Sequence, residues 1–405
     1  MSRTRVFALI TSFFLLGGIA RTIPGLHFVT LAASAGQSAK PPRPKPLGQG
    51  AVLQRDAASG ELKFSSKDAP GDAEASSAKE TIRSHVTLVQ VPCTVVAPDG
   101  TQVRGLSQEN FRLFEDGVPQ EIESFDASAT PASIALVMDA SPSIYHDLEG
   151  THDAAHAMAA NLSPADEISV VSFSSQAHLL LPFSTNRELL DRVIDSKNLA
   201  KVENSSESQI YQSLYLTAHE LFRGRKGRKA IVMLTDGQDS GLGLSWDPQS
   251  AKPRGSGDVA RLAFDDVARE LGADGIALFI VSTENRPAGM TAEWLEGHQD
   301  RMLVSQETRD LRMPNYTLYL AELARRVGGQ LYFLKETGNL TEIYRRIALA
   351  ISAQYTLGYY PSAGAAKPGW RSLRAELIFK PGSETRISPR SRLIYRSSYY
   401  VSAFQ

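Results

Sequence analysis

Asp139, Ser141 and Ser143 stand at alternate positions directly after the apolar run Ile134–Met138. That run has the length of a buried strand. In an open parallel sheet the ligand crevice lies beyond the carboxyl ends of the strands, where these oxygens would fall. A carboxylate and two hydroxyls turned to one side of a tight loop form a hard-oxygen donor set. Such a set suits Mg²⁺, Mn²⁺ or Ca²⁺ and does not suit zinc. It also leaves coordination positions for water or for an oxygen from a partner.

A second segment repeats the design. The strand pattern Lys229–Leu234 leads to Asp236 and the turn residue Gly237. Between the two segments, Ser208 places a hydroxyl just ahead of the helical pattern Ile210–Phe222, with Ser205 and Ser206 as alternatives for the same role. Ser208 also reads as the N-cap of that helix, and Ser/Asp clusters commonly mark turns. Order and context set this group apart: strand, loop and helix, then a hydroxyl before a later helix, then strand and Asp-Gly. Asp139, Ser141, Ser143, Ser208 and Asp236 together resemble the metal-ion-dependent adhesion site of the von Willebrand factor type A domain. That motif reads D-x-S-x-S, then a Thr before a helix, then Asp-Gly after a strand. Ser208 replaces the family's threonine, keeping the hydroxyl and losing the methyl that stiffens χ1. The resemblance implies Mg²⁺ (or Mn²⁺ or Ca²⁺) on these residues and a protein partner that offers an acidic side chain to the cation. Only Asp139 and Asp236 are charged, so the cation would stay electrophilic, and loops at Ser175, Ser208 and Ser240 would set specificity by shape.

Other chemistries fit less well. His152 and His156, in His-Asp-Ala-Ala-His, imitate a zincin helix, but the Asp arm is a methylene short for the general base and no third ligand is evident nearby. An alanine-rich helix surface is the better reading. The basic run Arg223–Lys229 reads as a solvated connection between helix and strand. Asp139 has no carboxylate at the next-but-one position and no G-x-x-x-x-G-K-[ST] loop is present, which disfavours phosphotransfer.

The elements that must position these residues alternate. Strands are predicted at Ile134–Met138, Ile168–Phe173, Ala177–Leu181, Lys229–Leu234, Ile276–Ser282 and Gln330–Leu334. Helices are predicted at Leu148–Asn161, Arg187–Ser196, Ile210–Phe222, Asp258–Gly272, Tyr316–Val327 and Leu340–Ser352. This alternation predicts an α/β fold with a doubly wound, mostly parallel sheet over residues 131–353, interrupted by a polar insertion at 284–313. Shorter strand patterns lie on both sides. Residues 83–128 hold Val86–Val96, Phe111–Glu115 and Gln120–Phe125, and residues 354–400 hold Gln354–Pro361, Ser372–Phe379 and Ser391–Arg396. Each group is too small to be comfortable alone, so the two are expected to pack together as a small flanking β unit.

Before residue 83 the composition changes. Arg3 and Arg5 precede the apolar stretch Val6–Ile19, and Ala33-Ser34-Ala35 supplies small residues for cleavage, so residues 1–35 read as a signal peptide. An uncleaved membrane anchor is the alternative. Residues 36–82, rich in Pro, Ser, Ala, Gly and Lys, read as a disordered tether. The chain has 405 residues, 42% of them hydrophobic, which is enough for two folded units. Its formal net charge of −1 gives no push toward nucleic acid. A single cysteine, Cys93, excludes an intrachain disulfide and a thiolate zinc site, and its place in an alternating strand pattern predicts a buried inert thiol.

At this scale the chain is similar, over about Val86 to Tyr400, to the bacterial VWFA-related family known chiefly from Acidobacteria. The likeness rests on Leu88–Val95, Gly105–Phe111, Phe114–Gly117 with Pro119–Ile122, and Gln354–Pro361. It implies an exported protein with an adhesion-type domain: periplasmic, secreted or at the cell surface. The expected function is a divalent-metal-dependent protein-binding module and not an enzyme. The alternative is a metal-assisted hydrolase that uses the same cation as a Lewis acid.

Overall fold

The computed structural model describes residues 42–49, 51–55, 62–66, 88–127, 130–148, 150–194, 207–241, 244–247, 252–255, 262–286, 315–361, 368–379 and 387–401. The leader expected over 1–35, the alternatives Ser205 and Ser206, and all but the first residues of the expected insertion lie outside them.

The central sheet is built from β1 (Lys45–Pro46), β8 (Ala132–Asp139), β9 (Glu167–Phe173), β10 (Ala177–Ser184), β11 (Arg228–Thr235), β14 (Ile276–Ser282) and β15 (Gln330–Phe333). Among the described residues they pair in the order β1-β10-β9-β8-β11-β14-β15. Neighbours from β9 to β15 are parallel, β10 runs antiparallel to β9, and β1 runs antiparallel to β10. Every residue of β8 is buried. Its side chains alternate between two cores: Ala135 and Val137 enter one, Ile134, Leu136 and Met138 the other. β11 divides in the same way, with Ile231 and Met233 opposite Ala230, Val232 and Leu234. A strand buried on both faces must be apolar throughout, which is why these runs show no polar alternation.

One core is closed by α3 (Ile210–Thr217), α4 (Phe264–Ala273) and α5 (Asn315–Val327), through residues such as Leu214, Val267 and Leu323. The other is closed by α1 (Thr151–Ala160), α2 (Arg187–Val193) and α7 (Leu340–Ser352), through Met158, Leu190 and Ile347. A four-residue helix α6 (Leu334–Thr337) follows β15, and α3 continues as a π-helical turn over Ala218–Phe222. From β8 the chain leaves through α1 on one face to reach β9. From β11 it leaves through α4 on the other face to reach β14. The two strands are neighbours, in the register Leu234 opposite Met138. Their outgoing connections diverge, which opens a crevice at their carboxyl ends, the topological switch point of the sheet.

The flanking strands form two sheets around a third core. One runs β18 (Arg392–Tyr395), β4 (Val89–Val96), β16 (Tyr355–Tyr359), β7 (Ser124–Asp126). The second runs β19 (Ser398–Val401), β17 (Gly369–Leu377), β5 (Phe111–Glu115), β6 (Val118–Gln120). N- and C-terminal segments interleave: β16 pairs with both β4 and β7, and β17 pairs with β5. Val91, Leu113, Leu357 and Leu373 share their core. This β unit meets the helices where the Thr94 hydroxyl donates to the Ala350 carbonyl (3.3 Å) and Arg325 Nη1 donates to Ser397 Oγ (2.7 Å). Cys93 on β4 is buried, and burial pushes its thiol pKa far up, away from the reactive thiolate.

Some expectations are corrected. Residues 36–82, expected to be a disordered tether, contribute β1 to the central sheet, and within them β2 (Ala51–Arg55) pairs with β3 (Leu62–Ser66) as a hairpin. The helix expected from Leu148 starts at Thr151, because Pro142–Leu148 form a 3₁₀ segment pinned by the buried Ile144 and Leu148. The strand expected over Gln120–Phe125 is broken, with residues 121–123 between β6 and β7; Ile122 turns inward and Glu123 N donates to the Gly358 carbonyl at 2.8 Å. A further hairpin, β12 (Leu244–Asp247) with β13 (Lys252–Gly255), had no periodic signal. Gly329 stands where any side chain would collide with a strand: a Cβ would lie 1.8 Å from the Leu278 carbonyl oxygen. No helix among the described residues is long and apolar enough to cross a membrane.

Candidate metal centre

Asp139 ends β8 at the switch point and its side chain is wholly buried. The Ala140 amide donates to the Phe173 carbonyl at 2.7 Å, fixing the turn that follows. Asp139 Oδ1 accepts the Ser141 amide at 3.0 Å. Its Oδ2 accepts two hydroxyls, Ser208 Oγ at 2.9 Å and Thr235 Oγ1 at 2.8 Å. Ser141 Oγ lies 3.1 Å from Ser143 Oγ; Ser141 is buried and Ser143 is exposed at the mouth. Asp236 is buried, and its Oδ1 accepts the Gln238 amide at 2.9 Å. Gly237, at φ +88°, turns the chain so that its own amide reaches Thr235 Oγ1 at 3.0 Å.

Of the five residues expected as ligands, Asp139, Ser141, Ser143 and Ser208 are linked by these contacts, and Asp236 lies near enough for its charge to act on Asp139. Ser208 does not cap α3, as one reading of the sequence had it, because its hydroxyl goes to Asp139. The helix's first amide, Ile210 N, is instead taken by Asp239 Oδ1 at 2.8 Å, from the loop after β11. That loop and the Ser208 loop are tied twice more: Ser240 N donates to the Ser208 carbonyl (2.7 Å), and Ser208 N to Ser240 Oγ (3.2 Å). Gln209 N donates to the Ser174 carbonyl at 2.8 Å, joining the β9–β10 turn to the same network. Thr235 was missed by sequence reasoning. Its signal was there: β8 and β11 carry the same pattern, and their register sets Thr235 level with Asp139.

Burial raises the Asp139 pKa above the ordinary aspartate value. The hydrogen bonds from Ser141 and Thr235 oppose the shift, and the nearby Asp236 charge adds to it. A buried carboxylate beside a second carboxylate is short of positive charge, and its hydrogen-bond partners among the described residues are two hydroxyls and an amide. The donors are all oxygen, matching the preference of Mg²⁺, Mn²⁺ and Ca²⁺. Among the described residues no group of three or more His, Cys, Asp or Glu side chains is arranged to hold a metal. The hydroxyls would therefore have to complete any shell.

Two hydroxyls share Asp139 Oδ2. Thr235→Val keeps the side-chain shape and removes one of the bonds on Asp139 Oδ2, as does Ser208→Ala. Each should lower Mg²⁺ affinity by about 10-fold or somewhat more, the range for losing a partner of a ligand. Titration calorimetry on both variants checks this. An unchanged affinity in Thr235→Val would remove Thr235 from the site.

The rival clusters are placed elsewhere. His152 and His156 are exposed on α1 with ring centroids 6.3 Å apart. His152 Nδ1 lies 3.3 Å from Asp153, and His156 Nε2 lies 3.8 Å from Asp191. The basic run is bound into the fold: Arg225 pairs with Glu167, Arg228 lies 3.7 Å from Asp166, and Lys229 lies 3.6 Å from Asp274.

Among curated proteins, none matches the chain. Solved structures similar to it include an aerotolerance-related membrane protein from Bacteroides fragilis NCTC 9343, at 14% identity and TM-score 0.37, covering 54% of this chain and 98% of that one. A von Willebrand factor type A protein from Catenulispora acidiphila is similar at 11% identity and TM-score 0.36, covering 76% of this chain and 74% of that one. The pilus adhesin SpaC from Lactobacillus rhamnosus GG is similar at 9% identity and TM-score 0.35, covering 74% of this chain and 49% of that one. Residues 133–293, which run from β8 through the crevice to beyond β14, match the von Willebrand factor type A domain family, and the chain carries a domain of that family.

Proposed function

We propose that this chain is a divalent-cation-dependent protein-binding module of the adhesion type that acts outside the cytosol. Asp139, Ser141, Ser143, Ser208 and Asp236 would hold the cation, directly or through water, with Mg²⁺ the leading candidate and Mn²⁺ or Ca²⁺ as alternatives. Thr235 would orient Asp139. When bound, the cation supplies an electrophilic position for an oxygen from the partner, best filled by an Asp or Glu side chain. The reading rests above all on the buried Asp139 carboxylate, which gathers hydroxyls from the loop before α3 and from the end of β11 at the sheet's switch point. Export, and membership in the narrower bacterial VWFA-related family, rest on the N-terminal residue pattern and the flanking motifs.

Capture on immobilised full-length protein tests the proposal. Partners should be retained in Mg²⁺, released by EDTA, and lost when acidic residues at the partner's interface are replaced. Retention in EDTA would place recognition on another face. Turnover of an ester or phosphoester library that vanishes with EDTA would favour the hydrolase alternative.

A further inference from the structure

We propose that the groove between β10 and α3 is a binding site for an extended peptide, and that this chain's own residues 45–48 are its resident ligand. β10 would otherwise be the outer strand of the central sheet, with open backbone donors and acceptors. Lys45 and Pro46 pair antiparallel with Leu179 and His178, and the Leu47 amide donates to the Ala177 carbonyl at 2.8 Å. Leu47 then leaves the strand and drops its side chain, 2% exposed, into the core that α3 lines. Gly48 closes the contact. Its amide donates to Glu220 Oε1 at 2.6 Å, and Glu220 is presented by the π-helical turn that extends α3.

The groove reads the peptide at several points. Backbone pairing demands an extended chain, and the pocket demands an apolar residue of leucine size. The next position demands glycine: its φ is +69°, and a Cβ there would lie 3.1 Å from the Leu216 side chain. Pro44 and Pro46 hold the approach extended before it docks, which lowers the ordering cost. Pro46 also lacks an amide, so the added strand offers a poor edge for further pairing. This is strand addition with one side-chain pocket, and the ligand class is a proline-rich extended peptide ending in Leu-Gly. Both elements that form the groove begin beside the metal crevice. β10 begins just past Ser174, whose carbonyl takes the Gln209 amide, and α3 begins just past Ser208.

A labelled peptide of residues 42–49 tests the assignment on the full chain. In wild type the groove is already filled by a tethered segment with a high effective concentration, so added peptide should bind poorly. In Leu47→Asp, and separately in Gly48→Val, the resident segment should leave, and the added wild-type peptide should bind at least about 10-fold more tightly than to wild type. A peptide carrying Leu47→Asp should bind none of them. Equal affinity for wild type and both variants, or no binding to either variant, would overturn the proposal. Hydrogen exchange on the unmodified chain gives an answer that no variant's folding can spoil. The Leu47 amide should exchange at least about 10-fold slower than in the free peptide, as local opening governs it. Exchange at the free-peptide rate would also overturn it.

Discussion

Asp139→Asn should abolish Mg²⁺ binding and at the same time raise the melting temperature of the metal-free chain. Losing a partner of a ligand lowers affinity roughly 10–100-fold, so losing the central charged ligand should exceed about 100-fold. The stability gain follows from burial. Because burial raises the folded Asp139 pKa, the folded chain keeps this proton to a higher pH than the unfolded chain does. Stability therefore falls as pH rises between the two pKa values, and above both the ionised carboxylate leaves the metal-free fold weaker. Acidification through the raised pKa restores that stability. Asparagine removes the titration, and the Ser208 and Thr235 hydroxyls can rotate to serve its amide. A bound cation would stabilise wild type by about 2.7 kcal/mol at 100 times Kd, an increment the variant cannot show. Melting curves from pH 4 to 8 with Mg²⁺ or EDTA decide it. A variant that still melts higher in Mg²⁺, or a wild type indifferent to Mg²⁺, would sink the assignment.

The central fold was legible because its strands are buried on both faces. Ile134–Met138, Lys229–Leu234 and Ile276–Ser282 are continuous apolar runs, and the structure extends two of them by only a residue or two at their ends. Local pattern was enough there. It failed where an element exists only through a distant partner. β1 is two residues of a proline-rich stretch and is a strand only because β10 lies beside it. β19 pairs with β17 across Gly369–Ser372, and no period in Ser398–Val401 announces it. In both cases long-range hydrogen bonds override the local propensities.

The candidate site divides along similar lines. Asp139, Ser141, Ser143 and Asp236 were singled out because each lies at or shortly past a strand end, so local sequence places it. Ser208 was ambiguous because a hydroxyl before a helix fits an N-cap as well as a site. Only the three-dimensional arrangement, with Asp239 taking over the Ile210 amide, frees it for Asp139. Thr235 could have been found only by aligning β8 and β11 in register and asking which polar side chain then stands beside Asp139, whereas Asp239 lies in the loop past β11 and its bond to the Ile210 amide has no local signal.

Deleting residues 361–405 should unfold the strands at 89–126 even though every residue of those strands remains in the chain. The deletion removes β17, β18 and β19. β5 then keeps only β6, and β4 keeps β16 but loses β18. The shared core loses Leu373, Ala375, Leu393, Tyr395 and Tyr399. Polar support goes as well. Glu115, buried on β5, accepts the Tyr359 and Tyr399 hydroxyls, and only the first survives. Arg396 donates to the Gln90 carbonyl at 3.2 Å from a site so enclosed that burial lowers its pKa to about 10, and that anchor for β4 disappears. Truncating one large core side chain typically costs about 2–5 kcal/mol, so losing several at once exceeds the roughly 5–15 kcal/mol that holds a domain together. The central sheet keeps both of its own cores and should stay folded. Limited proteolysis should therefore cut the truncated chain within 88–127 at rates at least about 10-fold above full length, while the region from β8 to α7 resists in both. If residues 88–127 were equally resistant in both chains, the flanking segments would be independent folds. Interleaved pairing of the kind formed by β4, β16 and β18 leaves no such independence, because each segment supplies the edges that the other must cover.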